Sequence, residues 1–251
     1  MTSPAARHMM RVSASETAQR AAVPLRKATA YEQMLVKLAA DNRTLKQIRS
    51  NERKADKKRE LLPFYLPWVA GVLENGKGAQ DDIVMTVMLW RLDADDIAGA
   101  LEIARYAMTY GLTMPTGRRP TPYLLAEEVA LAAQRLLAAK QPVELSNLLD
   151  TLALTERADM PDIVRAKLHK ITGYVLRDAK QLPEALAHLQ RAIQLESTIG
   201  VRKDIEQLER QLRPKPEPAP KTQKTQPRTR KPAAKPAARR GRPPKAAKAA
   251  G

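Results

Sequence analysis

Residues Gly71 to Lys77 spell G-x-x-x-x-G-K, the first part of a loop that cradles phosphate in nucleotide-binding proteins. That chemistry needs a Ser or Thr next, to hold magnesium, and a strand before it. Here Gly78 follows, and Trp68-Val69-Ala70 reads as helix, so Gly76 and Gly78 read as a helix stop and a turn. Cutting a phosphodiester would need clustered carboxylates for metal ions, or a histidine-based site. The acids on offer are Asp81-Asp82, Asp93, Asp95-Asp96 and Glu127-Glu128. The first four of these stand near predicted helix N-termini, where a carboxylate favours the helix dipole, and that role suffices for them. The histidines are His8, His169 and His188, none at metal-ligand spacing, and Asp162 followed by Lys167 lacks the intervening acid of a common metal-nuclease pattern. No catalytic group can be named from this. No cofactor is expected, with magnesium entering only if the chain itself cuts nucleic acid.

Cationic side chains carry the stronger signal. Arg43, Lys46, Arg49, Arg53, Lys54, Lys57, Lys58 and Arg59 form a row opposed only by Glu52, Asp56 and Glu60. Positions 46, 49, 53 and 57 fall near one helical face, a rail for a DNA backbone. The same row also reads as a solvated face supported by Glu–Lys pairs along the helix. The second feature is Arg239-Arg240-Gly241-Arg242-Pro243-Pro244-Lys245, which resembles the AT-hook. In that motif Arg-Gly-Arg lies extended in the narrow minor groove of A·T-rich DNA, where negative potential attracts arginine. Gly241 would let the backbone reach the groove floor, Pro243 would hold the chain extended, and Arg239, Lys245 and Lys248 would meet phosphates. Nonspecific phosphate binding by the same residues is the alternative. Either way, roughly eight phosphate contacts would make log K fall with log salt at a slope of about −7.

Composition bounds what could position these groups. The 251 residues hold one medium domain or two small ones, with ten glycines, nineteen prolines and one Phe. Ala, Leu, Glu, Lys, Arg and Gln dominate, and these are good helix formers. A net charge of +17 exceeds what solubility requires and points to a polyanionic partner. Absence of cysteine excludes disulfides and thiolate chemistry. No N-terminal stretch has the apolar core of a signal peptide, and the uncharged run Leu61–Leu73 is too short to span a bilayer, so a soluble intracellular protein is expected.

Four regions follow. Residues 1–27, with weak periodicity, read as a flexible arm. Residues 28–62 carry Tyr31, Met34, Leu35, Leu38, Leu45, Ile48, Ala55 and Leu62 at helical spacing, with polar lapses at Asp41, Asn42 and Glu52. One continuous helix is the favoured reading. The alternative is a break at Asp41–Asn42, where Thr44 and Gln47 make a capping box, giving a helix-turn-helix-like pair whose second helix could read a major groove. Residues 63–212 read as a core of eight helices beginning at Pro63, Gln80, Ala94, Thr121, Val143, Pro161, Pro183 and Val201. The fold class is all-α, with antiparallel helical hairpins, partly tetratricopeptide-like, and a disordered basic C-terminal tail. Gly173, Ala185, Leu189 and Ala192, and separately Ala100, Ala104 and Ala107, sit where helix crossings need small or packing residues. The fourth region is the tail, 213–251; from Pro214 to Gly251 there is no Val, Ile, Leu, Met or aromatic residue, and a net of +11. Such a tail cannot offset about 1–2 kcal/mol of backbone entropy per residue.

Several stretches together resemble the small terminase subunit of P-two-like tailed phages. They are Met1–Ala5 with Arg7–Ser13, Tyr31–Asp41, Gly76–Asp82, Met85–Leu92, Asp96–Ala107, Ala158–Asp162 and Arg165–Gly173, followed by the Arg-Gly-Arg-Pro tail. The resemblance implies a homo-oligomer in the host bacterial cytoplasm that binds double-stranded phage DNA at a cohesive-end site. It would work there with a large ATPase subunit to cut and package the genome. The family is conventionally labelled the endonuclease subunit, so intrinsic metal-dependent cleavage is the alternative. A protein that merely coats A·T-rich DNA is the second.

Overall fold

Polar residues inside an apolar stripe either break a helix or find partners, and Asp41 finds partners. In the computed structural model, which describes residues 3–19, 29–117 and 119–213, Asp41 lies within α2 (Thr29–Gln47) and is 8% exposed. Its carboxylate accepts from Tyr65 Oη at 2.6 Å and from Lys37 Nζ at 2.6 and 2.7 Å. A buried carboxylate so satisfied no longer interrupts the helix. Thr44, expected to open a capping box, donates back to the Ala40 carbonyl at 3.2 Å instead. The break falls at Ile48–Ser50, where Ser50 accepts from the Arg53 N–H at 3.3 Å and starts α3 (Asn51–Asn75). The continuous helix over 28–62 is thus replaced by two, and the break lies beyond Asp41–Asn42.

Helix α3 also runs through Pro63 and Pro67, where a new helix start was expected. The two prolines leave the carbonyls of Arg59 and Pro63 without an intrahelical donor, and both of those residues are exposed to water. On the other side Tyr65, Trp68, Val69 and Val72 are buried. Burying those four side chains outweighs the local penalty.

The predicted flexible arm holds α1 (Pro4–Gln19), packed against α3. Small residues hid it from periodicity. A Cβ at Gly71 would lie 2.3 Å from the Arg11 carbonyl oxygen and 3.0 Å from Ala14 Cβ, so the two helices cross almost backbone to backbone. Arg11 Nε donates to Glu74 at 3.1 Å beside the crossing. Gly71→Leu is therefore expected to undock α1 and leave the rest folded. Limited proteolysis would then cut within residues 4–19 much faster than in the wild type, and unchanged cleavage there would refute the crossing.

The remaining helices are α4 (Asp82–Asp93), α5 (Ile97–Tyr110), α6 (Thr121–Ala138), α7 (Leu145–Thr155), α8 (Asp162–Asp178), α9 (Leu182–Leu195) and α10 (Arg202–Leu212). Among the described residues there is no strand. The main core gathers Tyr65, Trp68, Met85, Met88, Leu101 and Leu125, and a smaller one holds Leu176, Ala185, Leu189, Val201 and Leu208. Ala100, Ala104 and Ala107 are fully buried on α5, as their spacing predicts. So are Ala185, Leu189 and Ala192, and a Cβ at Gly173 would meet Leu189 Cδ2 at 2.7 Å. The described residues belong to one compact unit; the predicted disordered tail and the end of the predicted arm lie outside them. No described helix is long and apolar enough to cross a membrane.

Candidate nucleic-acid interface

Leu45 is buried and Ile48 half-buried at the joint between α2 and α3, which turns the polar residues around them outward. Arg43, Lys46, Arg49 and Arg53 are exposed there and Lys54 is half-buried; none of the five makes an ion pair with a described residue. One turn further along α3 the pattern changes. Lys57 pairs with Glu60 at 2.7 Å, Lys58 with Asp93, and Arg59 with Asp56 at 2.7 Å and Asp95 at 3.1 Å. The cationic row therefore divides into an unmatched elbow and a neutralised stretch. Lys54, Lys58 and Arg59 share a groove of about 520 Å³ with Asp93, Asp95 and Arg135.

The glycine-rich string cradles nothing. Gly71 is spent on the helix crossing. Gly76 caps α3 and donates to the Val72 carbonyl at 2.8 Å, while Gly78, at φ +81°, donates to Tyr106 Oη at 2.9 Å.

Most of the acidic candidates make a hydrogen bond or ion pair within the protein. Asp81 caps α4, accepting from the Ile83 and Val84 N–H groups at 2.9 and 3.0 Å and from Trp68 Nε1 at 2.9 Å. Burial pushes its carboxyl up to about 6, against the opposing pull of those three donors. The Asp82 N–H donates to Tyr31 Oη at 3.2 Å. Asp93 closes α4, where a helix start was expected, and Asp95 stands in the left-handed region at φ 66°, bound by Arg59 and by Arg135 at 2.9 Å. Asp96 caps α5 through the Gly99 N–H at 2.9 Å and pairs with Arg91 at 2.9 Å. Glu127 pairs with Arg119, and burial raises the neighbouring Glu128 carboxyl, with Asp93 adding to it. Among the described residues no group of three or more His, Cys, Asp or Glu could hold a metal.

One pairing escaped the sequence. His169 on α8 and His188 on α9 bring their Nδ1 atoms to 3.1 Å, a contact set by the same hairpin register that seats Leu189 on Gly173. Burial, then His188, Arg191 and Arg165, hold His169 down at about 4, and burial lowers His188 as well. The folded pair resists protons that the unfolded chain accepts near 6.5. Its contribution is present in full above about 6.5 and is lost as pH falls towards 4. With the rings partly open to water, the loss is about 1–2 kcal/mol. An imidazole NMR titration should place His169 near 4, and a midpoint at the ordinary value would show the pair open.

The family described as phage small terminase subunit matches residues 35–163, from within α2 to the start of α8. The chain belongs to this family. The small terminase subunit is 68% identical over 248 residues to a protein of Escherichia phage P2 named terminase, endonuclease subunit, covering 98% of this chain and all of the relative. It is 27% identical over 193 residues to the probable terminase, endonuclease subunit of Haemophilus phage HP1 (strain HP1c1), covering 70% of this chain and 68% of that one. No solved structure matches it. Family membership gives the small terminase subunit a role in phage packaging. The elbow lies inside the matched span, while Arg239, Arg240, Gly241, Arg242, Pro243 and Lys245 lie outside the described residues.

Proposed function

We propose that this small terminase subunit recognises viral duplex DNA, with the α2–α3 elbow carrying part of the contact. The observation that supports it is the unmatched charge of Arg43, Lys46, Arg49, Arg53 and Lys54 beside a stretch where cations are neutralised. Solvated, unpaired cations, with Glu52 the one acid among them, meet phosphate at little desolvation cost. The tail, through Arg239–Lys245, would add minor-groove hold and an A·T bias. A large ATPase subunit would supply the motor, copies of this chain would assemble, and all would meet in the host cytoplasm at the cohesive-end site. Footprinting on phage DNA with the full chain and with a form lacking 214–251 tests the reading. Site protection retained without the tail supports it; loss of nearly all binding would reduce the protein to a coat on A·T-rich DNA.

A second reading, intrinsic cleavage, has the printed names of the P2 and HP1 relatives in its favour. Incubating the purified chain with site-bearing DNA and magnesium, without a large subunit, decides it. Asp95→Asn is the informative variant, because asparagine tolerates the left-handed backbone at φ 66° that alanine would strain. Asp81→Ala is not, because that carboxylate holds α4.

A further inference from the structure

A groove of about 590 Å³ runs between α6, α8 and the turn at Ile199, away from every residue assigned to DNA above. Leu131, Leu137, Ile171 and Ile199 make it apolar, and Lys167 and Lys170 stand along it with the ring of Tyr174. No carboxylate lines it. Lys170 is held in place, donating to the Ile199 carbonyl at 2.8 Å with its Nζ 5.9 Å from the Tyr174 ring centre. Lys167 makes no ion pair with a described residue. Nearby Arg177, by contrast, is matched by Asp204 at 3.2 Å.

We infer that this groove docks a partner protein through an acidic segment bearing large apolar side chains. The two lysines call for carboxylates, and the apolar walls gain only from side chains that leave water. Nucleic acid would satisfy the lysines but leave the half-buried Leu131, Leu137 and Ile199 wet. The chain's own remaining segments have the wrong chemistry. Residues 214–251 carry +11 and no large apolar side chain, and residues 20–28 carry Arg20, Arg26 and Lys27 without an acid. These two segments being excluded, we take the occupant to be a different protein, and this surface is separate from the elbow, so the inference stands whether or not the elbow binds DNA.

Selecting a short random-peptide display library on the full-length protein tests it, with parallel selections on Lys167→Glu and Gln134→Glu. Gln134 is an exposed lining residue of α6, so its substitution adds a negative charge to the groove without disturbing the core. The wild type should enrich acidic peptides rich in Leu, Ile or Phe, and both variants should bind those peptides about tenfold more weakly or worse. Circular dichroism keeps the comparison to folded proteins, and Gln134→Glu alone decides if Lys167→Glu unfolds. Acidic peptides gripped by the basic tail would bind wild type and variants alike, and a selection yielding only those overturns the inference. So would enrichment without acidic bias, or displacement of the enriched peptides by duplex DNA. Self-association of the chain that Gln134→Glu abolishes would put a second copy in the groove and overturn it too.

Discussion

Replacing Arg43, Lys46, Arg49 and Arg53 together with alanine is expected to weaken duplex DNA binding by about a thousandfold at roughly 0.1 M salt. The size follows from counterion release, since each phosphate contact contributes about 0.9 to the slope of log K against log salt. Four lost contacts should flatten that slope by about 3.5, which is a sharper readout than affinity alone. All four side chains are exposed and make no ion pair with a described residue, so stability should change by no more than about 0.5 kcal/mol. The matched control removes Arg157, Arg202, Lys203 and Arg210, four cations likewise exposed on other parts of the fold. Retardation assays across a salt series should leave the control's slope nearly unchanged. An equal flattening in both proteins would mean that net charge, and no particular surface, draws the duplex.

Asp81→Ala should lower stability by about 2–4 kcal/mol. Loss of the α4 cap contributes about 0.5–2 kcal/mol. The buried Trp68 N–H left without its acceptor adds about 1–3 kcal/mol. Asp81→Asn is the finer instrument, because an amide keeps the cap to Ile83 and Val84 but removes the titrating charge. The wild-type carboxyl sits at about 6 when folded and near 3.8 when unfolded, so the folded state takes up the proton first. Stability then rises as pH falls through that window, opposite to the usual aspartate. Between pH 7 and 4 the wild type should gain about 2–3 kcal/mol relative to Asp81→Asn. The histidine pair loses stability over nearly the same range, so the wild type should look almost flat while Asp81→Asn declines steeply on acidification. Urea melts at several pH values would show it. Parallel curves for the two proteins would contradict the burial argument.

Such an outcome bears on function as well. A carboxylate that titrates near 6 beside a conspicuous Gly-Lys string invites a catalytic reading, yet its three hydrogen bonds all go to the protein's own Ile83, Val84 and Trp68. Inactivity of an Asp81 variant in packaging would report on α4 rather than on chemistry.

Much of this was visible in the order of the residues. Helix-forming composition, punctuation by Gly111, Pro120 and Gly200, and the small residues Gly173, Ala185, Ala100 and Ala104 are local or periodic properties, and the described helices follow them. Local signals failed where packing outweighed them. Trp68 and Tyr65 carried α3 through two prolines, Tyr65 and Lys37 kept Asp41 inside α2, and Gly71 seated an α1 that has almost no apolar stripe. The basic row was legible as a row, but its division was not. Lys58 meets Asp93 thirty-five residues away, and Arg59 meets Asp95 at a separation of thirty-six. By itself the sequence determined that the chain is helical and that its excess positive charge lies in the tail. Only tertiary structure decided which cations of the elbow stay unmatched, because matching is a matter of distance in space, and that distance is set when α3 packs against the turn between α4 and α5.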